Sequence, residues 1–355
     1  MDAGRDGAPM QYYLYTLCFD APVHFGAAER GGGLEHTQMT LTADALFSAM
    51  AAELSAAGEQ DALQDLLAAV RDGRMRFSDL LPWRENASGD WDFYVPRPVL
   101  WEQVRSSLPD SYASACALSR ARKQQKKTAY VRASRLQDFG AAVCAGRPFE
   151  EVNDFGEEIL RQRVNCRGEE PLPYFVGSFA FHEQAGLYLV LAIDDADTDG
   201  VEHVEAMACL LDFIGQTGIG GKRSSGYGKF HLADDPIILS DDAVYGEDDG
   251  ALYQMLSDTA AEWQMAIAPV LPGVQDIEAA AHGLYRLRHV GGFVTTAALA
   301  EKKNGVCLLD SGSCLRERIA GSMAVLGQNE GHPVLRYGYG LYLGIRGYGK
   351  DEVAR

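Results

Sequence analysis

Between Gly215 and Gly228 the chain reads Gly-Gln-Thr-Gly-Ile-Gly-Gly-Lys-Arg-Ser-Ser-Gly-Tyr-Gly, six glycines in fourteen positions. Glycines let a backbone turn tightly and approach a ligand closely. Lys222 and Arg223 add positive charge, and Ser224 and Ser225 add hydroxyl groups. Backbone N–H groups in such a turn can hold phosphate oxygens. The familiar nucleotide loops do not fit. A Walker loop needs glycine where Gln216 stands and Ser or Thr where Arg223 stands. A dinucleotide fingerprint follows a strand and opens a helix; here a helical pattern precedes the glycines and a strand pattern follows. An elongated polyanion lying across the turn fits better than a buried mononucleotide. The plain alternative is a loop that joins a helix to an edge strand.

A second cationic feature lies at 120–135. Arg120, Arg122, Lys123, Lys126, Lys127, Arg132 and Arg135 fall there without an acid among them. Interspersed Gln124, Gln125 and Tyr130 suit phosphate contact and base stacking. A solvated helix face, or a patch that docks an acidic protein, would read the same way. His24 sits at the exit of the first predicted strand, two residues before Gly26. It has the chemistry of an acid or base for RNA transesterification but no companion nearby. A hydrogen-bonding or stacking role is expected instead. The other histidines are scattered without metal-ligand spacing, and the carboxylates form solvated clusters. No catalytic residue, metal or cofactor is therefore expected.

The elements that must hold these residues come from a chain of 355 residues with a formal net charge of −18. That length buries one large core or two ordinary ones. The acidity argues against nucleic-acid binding over the whole surface and leaves room for a local basic groove. Seven scattered cysteines, with no CxxC pair, read as free thiols. Neither a secretory signal nor an apolar span of membrane length is visible, so a cytoplasmic protein is expected.

Apolar runs predict a strand over 12–19, a helix from Thr40 or Thr42 to about 57, and a second helix over 61–70. Strands are predicted over 75–81 and 93–100, the latter an edge strand because of Pro96 and Pro98. Runs at 174–181 and 187–193 read as a hairpin, and 201–213 as a helix. After an acidic, turn-rich stretch at 234–250, a strand over 262–270, a helix over 276–288, and strands over 306–309 and 339–346 follow. The order fits an α+β fold of two ferredoxin-like, RNA-recognition-like domains with antiparallel sheets and packed helices. The first would span 1–235 with insertions and the glycine-rich loop. The second, 236–355, would be incomplete or decorated. Two unrelated α+β domains remain the alternative.

The combination resembles a known family. The 12–19 run, His24-Phe25-Gly26 and Leu41-Thr-Ala-Asp-Ala-Leu-Phe-Ser-Ala49 resemble the opening of the RAMP proteins of CRISPR defence. Ile219 to Gly228 is similar to their signature glycine loop. Val176 to Phe181, Gly291-Gly-Phe293 and Arg336 to Gly344 resemble one member group, the subunit that caps crRNA at its 5′ tag in the type III-A Csm complex. The likeness spans roughly 12–345. It implies two ferredoxin-like domains and a non-catalytic, RNA-binding ribonucleoprotein subunit of antiviral defence. Its implied partners are the crRNA 5′ tag, the large palm-domain subunit and the backbone RAMP subunit. It also implies that His24, Phe25 and Gly26, with Gly218, Gly220, Gly221, Lys222, Arg223, Ser224, Ser225 and Gly226, line the tag cleft. Arg122, Lys123, Lys126 and Lys127 are the further RNA-binding candidates. The competing expectations are a crRNA-processing endoribonuclease of the same superfamily and a protein scaffold without RNA contact.

Overall fold

The computed structural model describes residues 10–26, 33–102, 110–166, 170–194, 200–295, 300–329 and 332–345. The N-terminal extension before Met10 lies outside them. In chain order the first half runs β1 (Met10–Phe19), β2 (Phe25–Gly26), β3 (Thr37–Gln38), α1 (Ala43–Ala57), α2 (Gln60–Arg71), β4 (Met75–Phe77), β5 (Leu81–Glu85) and β6 (Trp91–Pro96). It continues α3 (Tyr112–Lys127), β7 (Tyr130–Arg132), α4 (Leu136–Cys144), β8 (Gly156–Asn165), β9 (Leu172–Phe181), β10 (Ala185–Asp194), α5 (Gly200–Thr217), β11 (Phe230–Leu232) and β12 (Ile237–Ile238).

One antiparallel sheet organises this half, in the order β11-β1-β10-β5-β6-β7, with β12 also on β1 and β4 also on β10. Counting β4 and β5 as one broken strand, the core order is fourth-first-third-second, with α1 and α5 as the two crossovers. This is a β-α-β-β-α-β unit extended by β6 and β7. The run Tyr12–Leu17 is buried throughout, so both faces of β1 must be covered. Successive side chains point to opposite faces, and the tyrosines show the cover on each side. The Tyr15 hydroxyl donates to the Val204 carbonyl on α5 at 3.0 Å. The Tyr12 hydroxyl donates to the Leu256 carbonyl at 3.1 Å, on the helix that opens the second half.

That half runs α6 (Glu247–Ser257), β13 (Trp263–Ala266), α7 (Ile277–Ala281), β14 (Leu287–Val290), β15 (Phe293–Thr295), β16 (Ala300–Lys302), β17 (Val306–Leu309), β18 (Cys314–Leu315), β19 (Ala324–Asn329), β20 (His332–Arg336) and β21 (Tyr342–Ile345). The small sheet is β18-β13-β21, and β14 pairs with β17. Apolar side chains from both halves join in one core.

Buried ions tie the halves together. Asp44, in the first turn of α1, accepts from Arg288 at 2.8 Å and from Arg336 at 2.7 Å. Burial raises the Asp44 carboxyl, but the two guanidinium groups outweigh it and hold the group below the usual carboxylate range. The Asp79 carboxylate accepts the Ala43 N–H at 2.7 Å and the Ser311 hydroxyl at 2.5 Å. Burial pushes the Asp79 carboxyl up to about 7, against the pull of Ser311 and Arg288. Asp248 accepts from the Phe93 and Ser134 N–H groups and from Arg132 Nε.

Several predicted elements are corrected. β6 is interior, flanked by β5 and β7, and its Pro96 falls at the strand end opposite Tyr130. A tight turn joins β9 to β10, but β9 pairs with β8 and β10 with β1. The helix expected over 276–288 is one short turn, Ile277–Ala281. Thr42 occupies the N-cap of α1 without a side-chain cap bond; Asp79, distant in sequence, takes that role.

Candidate nucleic-acid interface

The glycine loop and the exit of β1 fold as one unit. α5 stops at Thr217 because Gly218 turns left-handed at φ 85° while its N–H still reaches the Ile214 carbonyl at 2.7 Å. The chain then doubles back. The Gly221 N–H donates to the His24 carbonyl at 2.8 Å, and the Gly228 N–H to the Pro22 carbonyl at 2.9 Å. Gly220 lies at φ +88°, and a Cβ there would sit 2.7 Å from the Phe25 ring. A Cβ on Gly221 would meet the His24 ring at 2.7 Å, and no left-handed φ is required there. These glycines are therefore demanded by the protein's own packing.

His24 is 5% exposed, and its Nδ1 lies 2.7 Å from the Gly177 carbonyl on β9. A carbonyl only accepts, so Nδ1 carries the proton and the ring pins β9 to the loop. Phe25 is buried and meets Phe19 edge-on, so it packs rather than stacks on a base. Gly26 is exposed.

The tip differs from its stem. Ser224, Ser225 and Gly226 are exposed. Lys222 has φ 62° and ψ 21°, the one non-glycine residue with positive φ among those described. A side chain in that region costs about 1–2 kcal/mol. Its ammonium lies 5.2 Å from the centre of the Tyr174 ring, a cation–π contact with β9. The Arg223 guanidinium forms an ion pair with Glu53 of α1.

β8 and β9 form a ten-residue antiparallel ribbon that sequence reading missed on its β8 side. Its register pairs Arg163 with Tyr174 and Arg161 with Val176. Opposed residues share a face, so Arg161, Arg163 and Tyr174 lie on one face, the one Lys222 touches. The other face exposes Leu160, Val164 and Phe175. Lys222, Tyr174, Arg163 and Arg161 thus form a cationic track with an aromatic step, suited to phosphate and base contact.

The basic run lies at the other end of the sheet from the glycine loop, though its Tyr130 bonds Asn153 just ahead of β8. α3 leads into β7, and β7 and β11 are the two ends of the six-strand path. Five strand spacings put them about 24 Å apart. Arg122, Lys123, Lys126 and Lys127 are exposed on α3, while Gln125 is buried and donates from Nε2 to the Arg147 carbonyl at 2.6 Å. Arg132 is held by Asp92 and Asp248, and Arg135 by Glu151. Half-buried or internally paired, these last two belong to the fold.

No group of His, Cys, Asp and Glu among the described residues is arranged to hold a metal ion. No described helix is long and apolar enough to cross a membrane.

An α+β fold of antiparallel sheets, with a β-α-β-β-α-β unit whose second crossover helix ends in a glycine loop, is the architecture expected of a RAMP-like protein. Comparison with known proteins agrees. Residues 259–345 match the family model described as CRISPR Csm4 C-terminal domain. A protein named "CRISPR system Cms protein Csm4" from Mycobacterium tuberculosis H37Rv is 27% identical over 343 residues, 95% of this chain and 98% of the relative. Its namesake from Streptococcus thermophilus is 25% identical, covering 94% and 98%. Among solved structures, a chain of the Csm3-Csm4 subcomplex of the type III-A interference complex shares the fold at TM-score 0.56 and 14% identity, covering 95% of this chain and 100% of that one. A chain of the Csm1-Csm4 cassette with pppApA does so at TM-score 0.55 and 17% identity, covering 95% and 98%. Over most of its length the chain is similar to proteins named Csm4.

Proposed function

We propose that this chain is the Csm4 subunit of a type III-A CRISPR interference complex. It holds the crRNA 5′ tag between the glycine loop and the β8–β9 ribbon, and bridges the large palm-domain subunit to the backbone RAMP subunit. The support for the partners is the pairing of Csm4 with Csm1 and with Csm3 in the structures that share this fold. The support for the RNA site is Lys222. A non-glycine residue kept in a left-handed turn is disfavoured unless its side chain is needed there. This one places a cation on Tyr174, at the head of the Arg163–Arg161 face.

We read the subunit as non-catalytic and cytoplasmic. The His24 ring is buried, with Nδ1 bonded to the Gly177 carbonyl and Nε2 beside Gly221, and the loop offers cations and N–H groups with no nucleophile set beside that nitrogen. Such a site grips phosphate and does not cut it.

Lys222→Gly tests the reading, because glycine accepts the turn while removing the side chain, its ammonium and its contact with Tyr174. Thermal stability should hold or rise by about 1 kcal/mol, while protection of the crRNA 5′ end in the reconstituted complex falls. Full protection of the tag at both low and high salt would overturn it.

A further inference from the structure

Glu53 is an unexpected residue for its position. On α1 the buried stripe is Leu46, Phe47, Met50 and then Glu53, the spacing of a core face. Its side chain is 9% exposed, and its partner is Arg223, 170 residues away on the loop tip. A carboxylate in an apolar stripe is costly unless it is paired, so the two residues depend on each other. Arg223 is the more exposed partner, at 37% of its side chain. Held down on α1, it is neutralised before any RNA arrives. Among the described residues the tip then offers one cation without a carboxylate partner, Lys222, where the sequence alone suggests two.

The consequence bears on specificity. Each cation that contacts phosphate adds affinity for any RNA, without regard to sequence. A loop with a free Lys-Arg pair would hold unrelated strands more tightly. We propose that Glu53 is a positioning residue for the RNA loop: it occupies Arg223, leaves Lys222 to meet the phosphate, and so keeps sequence-independent RNA binding low. The inference rests on the RNA-binding reading above and concerns which loop cation that binding uses.

The test compares wild type, Glu53→Met, Arg223→Met and the double variant, each assembled in the complex. Affinity for crRNA and for an unrelated single-stranded RNA is measured across a range of salt. Glu53→Met fills the apolar stripe and frees Arg223. It should bind unrelated RNA about fivefold more tightly at low salt, the size of one partly exposed charge contact. Its log–log salt slope should steepen by about 0.7, the increment for one phosphate on a single strand. Arg223→Met and the double variant should keep the wild-type slope. The double variant replaces an ion pair by apolar isosteres, which cores accept, so it decides the matter even where a single variant fails to fold. A slope shallower by about 0.7 in the double variant would overturn the proposal and make Arg223 the phosphate ligand. A folded Glu53→Met variant with wild-type affinity and slope would also overturn it. Absence of RNA binding by the wild-type complex would instead overturn the parent reading, and this one with it.

Discussion

Lys222 and Arg223 on the glycine loop, and Lys123, Lys126 and Lys127 on α3, are the same residue types in opposite physical states. The loop cations are each held: one over an aromatic ring, the other on a buried carboxylate. The backbone beneath them is pinned to the exit of β1 by Gly221 and Gly228. The α3 lysines stand exposed along a helix anchored by Gln125 and by Arg97, which donates to the Gln125 carbonyl at 2.9 Å. Charge density in a sequence therefore does not tell a held cation from a solvated one. Under the inference above, the cation over the ring is presented at one place and the one on the carboxylate is withheld. An exposed one attracts any polyanion and is screened by salt.

The comparison breaks first where the loop is pinned. Gly220→Ala must adopt φ +88° and place its Cβ 2.7 Å from the Phe25 ring and 2.9 Å from the His24 carbonyl. Left-handed strain and overpacking together should cost about 2–4 kcal/mol. Gly226→Ala, at φ +84° with open space around it, should cost about 1–2 kcal/mol. Urea unfolding of the two variants measures the difference. Equal losses would mean that packing against β1 does not hold the loop.

The second test reaches the loop through α1, which carries Glu53 near its end and is fixed at its start by Asp44 and Asp79. The native Asp79 carboxyl sits at about 7, while an unfolded aspartate lies near 3.9. Between those values the folded chain keeps a proton that the unfolded chain has lost. Stability therefore falls as pH rises through this window, and the penalty is complete above it. Asp44 runs the other way. Its lowered native pKa gives stability that is present at neutral pH and lost as pH falls below the ordinary carboxylate range. Asp79→Asn retains a carbonyl for the Ala43 N–H and removes the titration. It should flatten the fall in stability between about pH 4 and 7, an effect on the order of a few kcal/mol. The α3 variants should leave that slope untouched. An unchanged slope in Asp79→Asn would show that this carboxyl ionises normally in the fold.

What the sequence made legible follows from the range of the forces involved. The buried run of β1 and the α1 stripe over Leu46, Phe47 and Met50 are periodic signals, readable within one element. So was the order helix, glycines, strand around Gly215 to Gly228. The glycine loop that the sequence singles out has glycines that answer to the protein's own Phe25, His24 and Ile219. Illegible features depend on residues far apart. Nothing near Arg223 points to Glu53, and nothing near Arg132 points to Asp248. β8 escaped notice because Glu-Glu-Ile-Leu-Arg-Gln-Arg-Val lacks clean alternation, although the apolar run of β9 needed a partner. Pro96 suggested an edge strand because proline lacks an N–H, yet at the end of β6 that loss is tolerated. The basic run looked continuous for the same reason: sequence order hides that Arg132 and Arg135 turn inward while Lys123, Lys126 and Lys127 turn out.

The α3 lysines make the smallest prediction and the sharpest contrast. Their helix leads into β7, which stands about 24 Å by strand count from β11, the strand after the loop, so one strand of RNA would need several nucleotides to span both. Replacing Lys123, Lys126 and Lys127 with Ala removes solvated charge and leaves the buried Ala121 and Gln125 contacts in place. Surface changes of this kind alter stability by less than about 0.5 kcal/mol each, and Ala favours the helix. If RNA crosses α3, each lost phosphate contact should reduce the salt slope by about 0.7, with crRNA and unrelated RNA affected alike. Protection of the 5′ tag should survive, since the loop is untouched. An unchanged slope with weaker recovery of a protein partner would make α3 a docking face for an acidic surface. An unchanged slope with normal assembly would leave it a solvated face. Loss of tag protection in this variant would join the two regions into one site and remove the distinction between held and exposed cations.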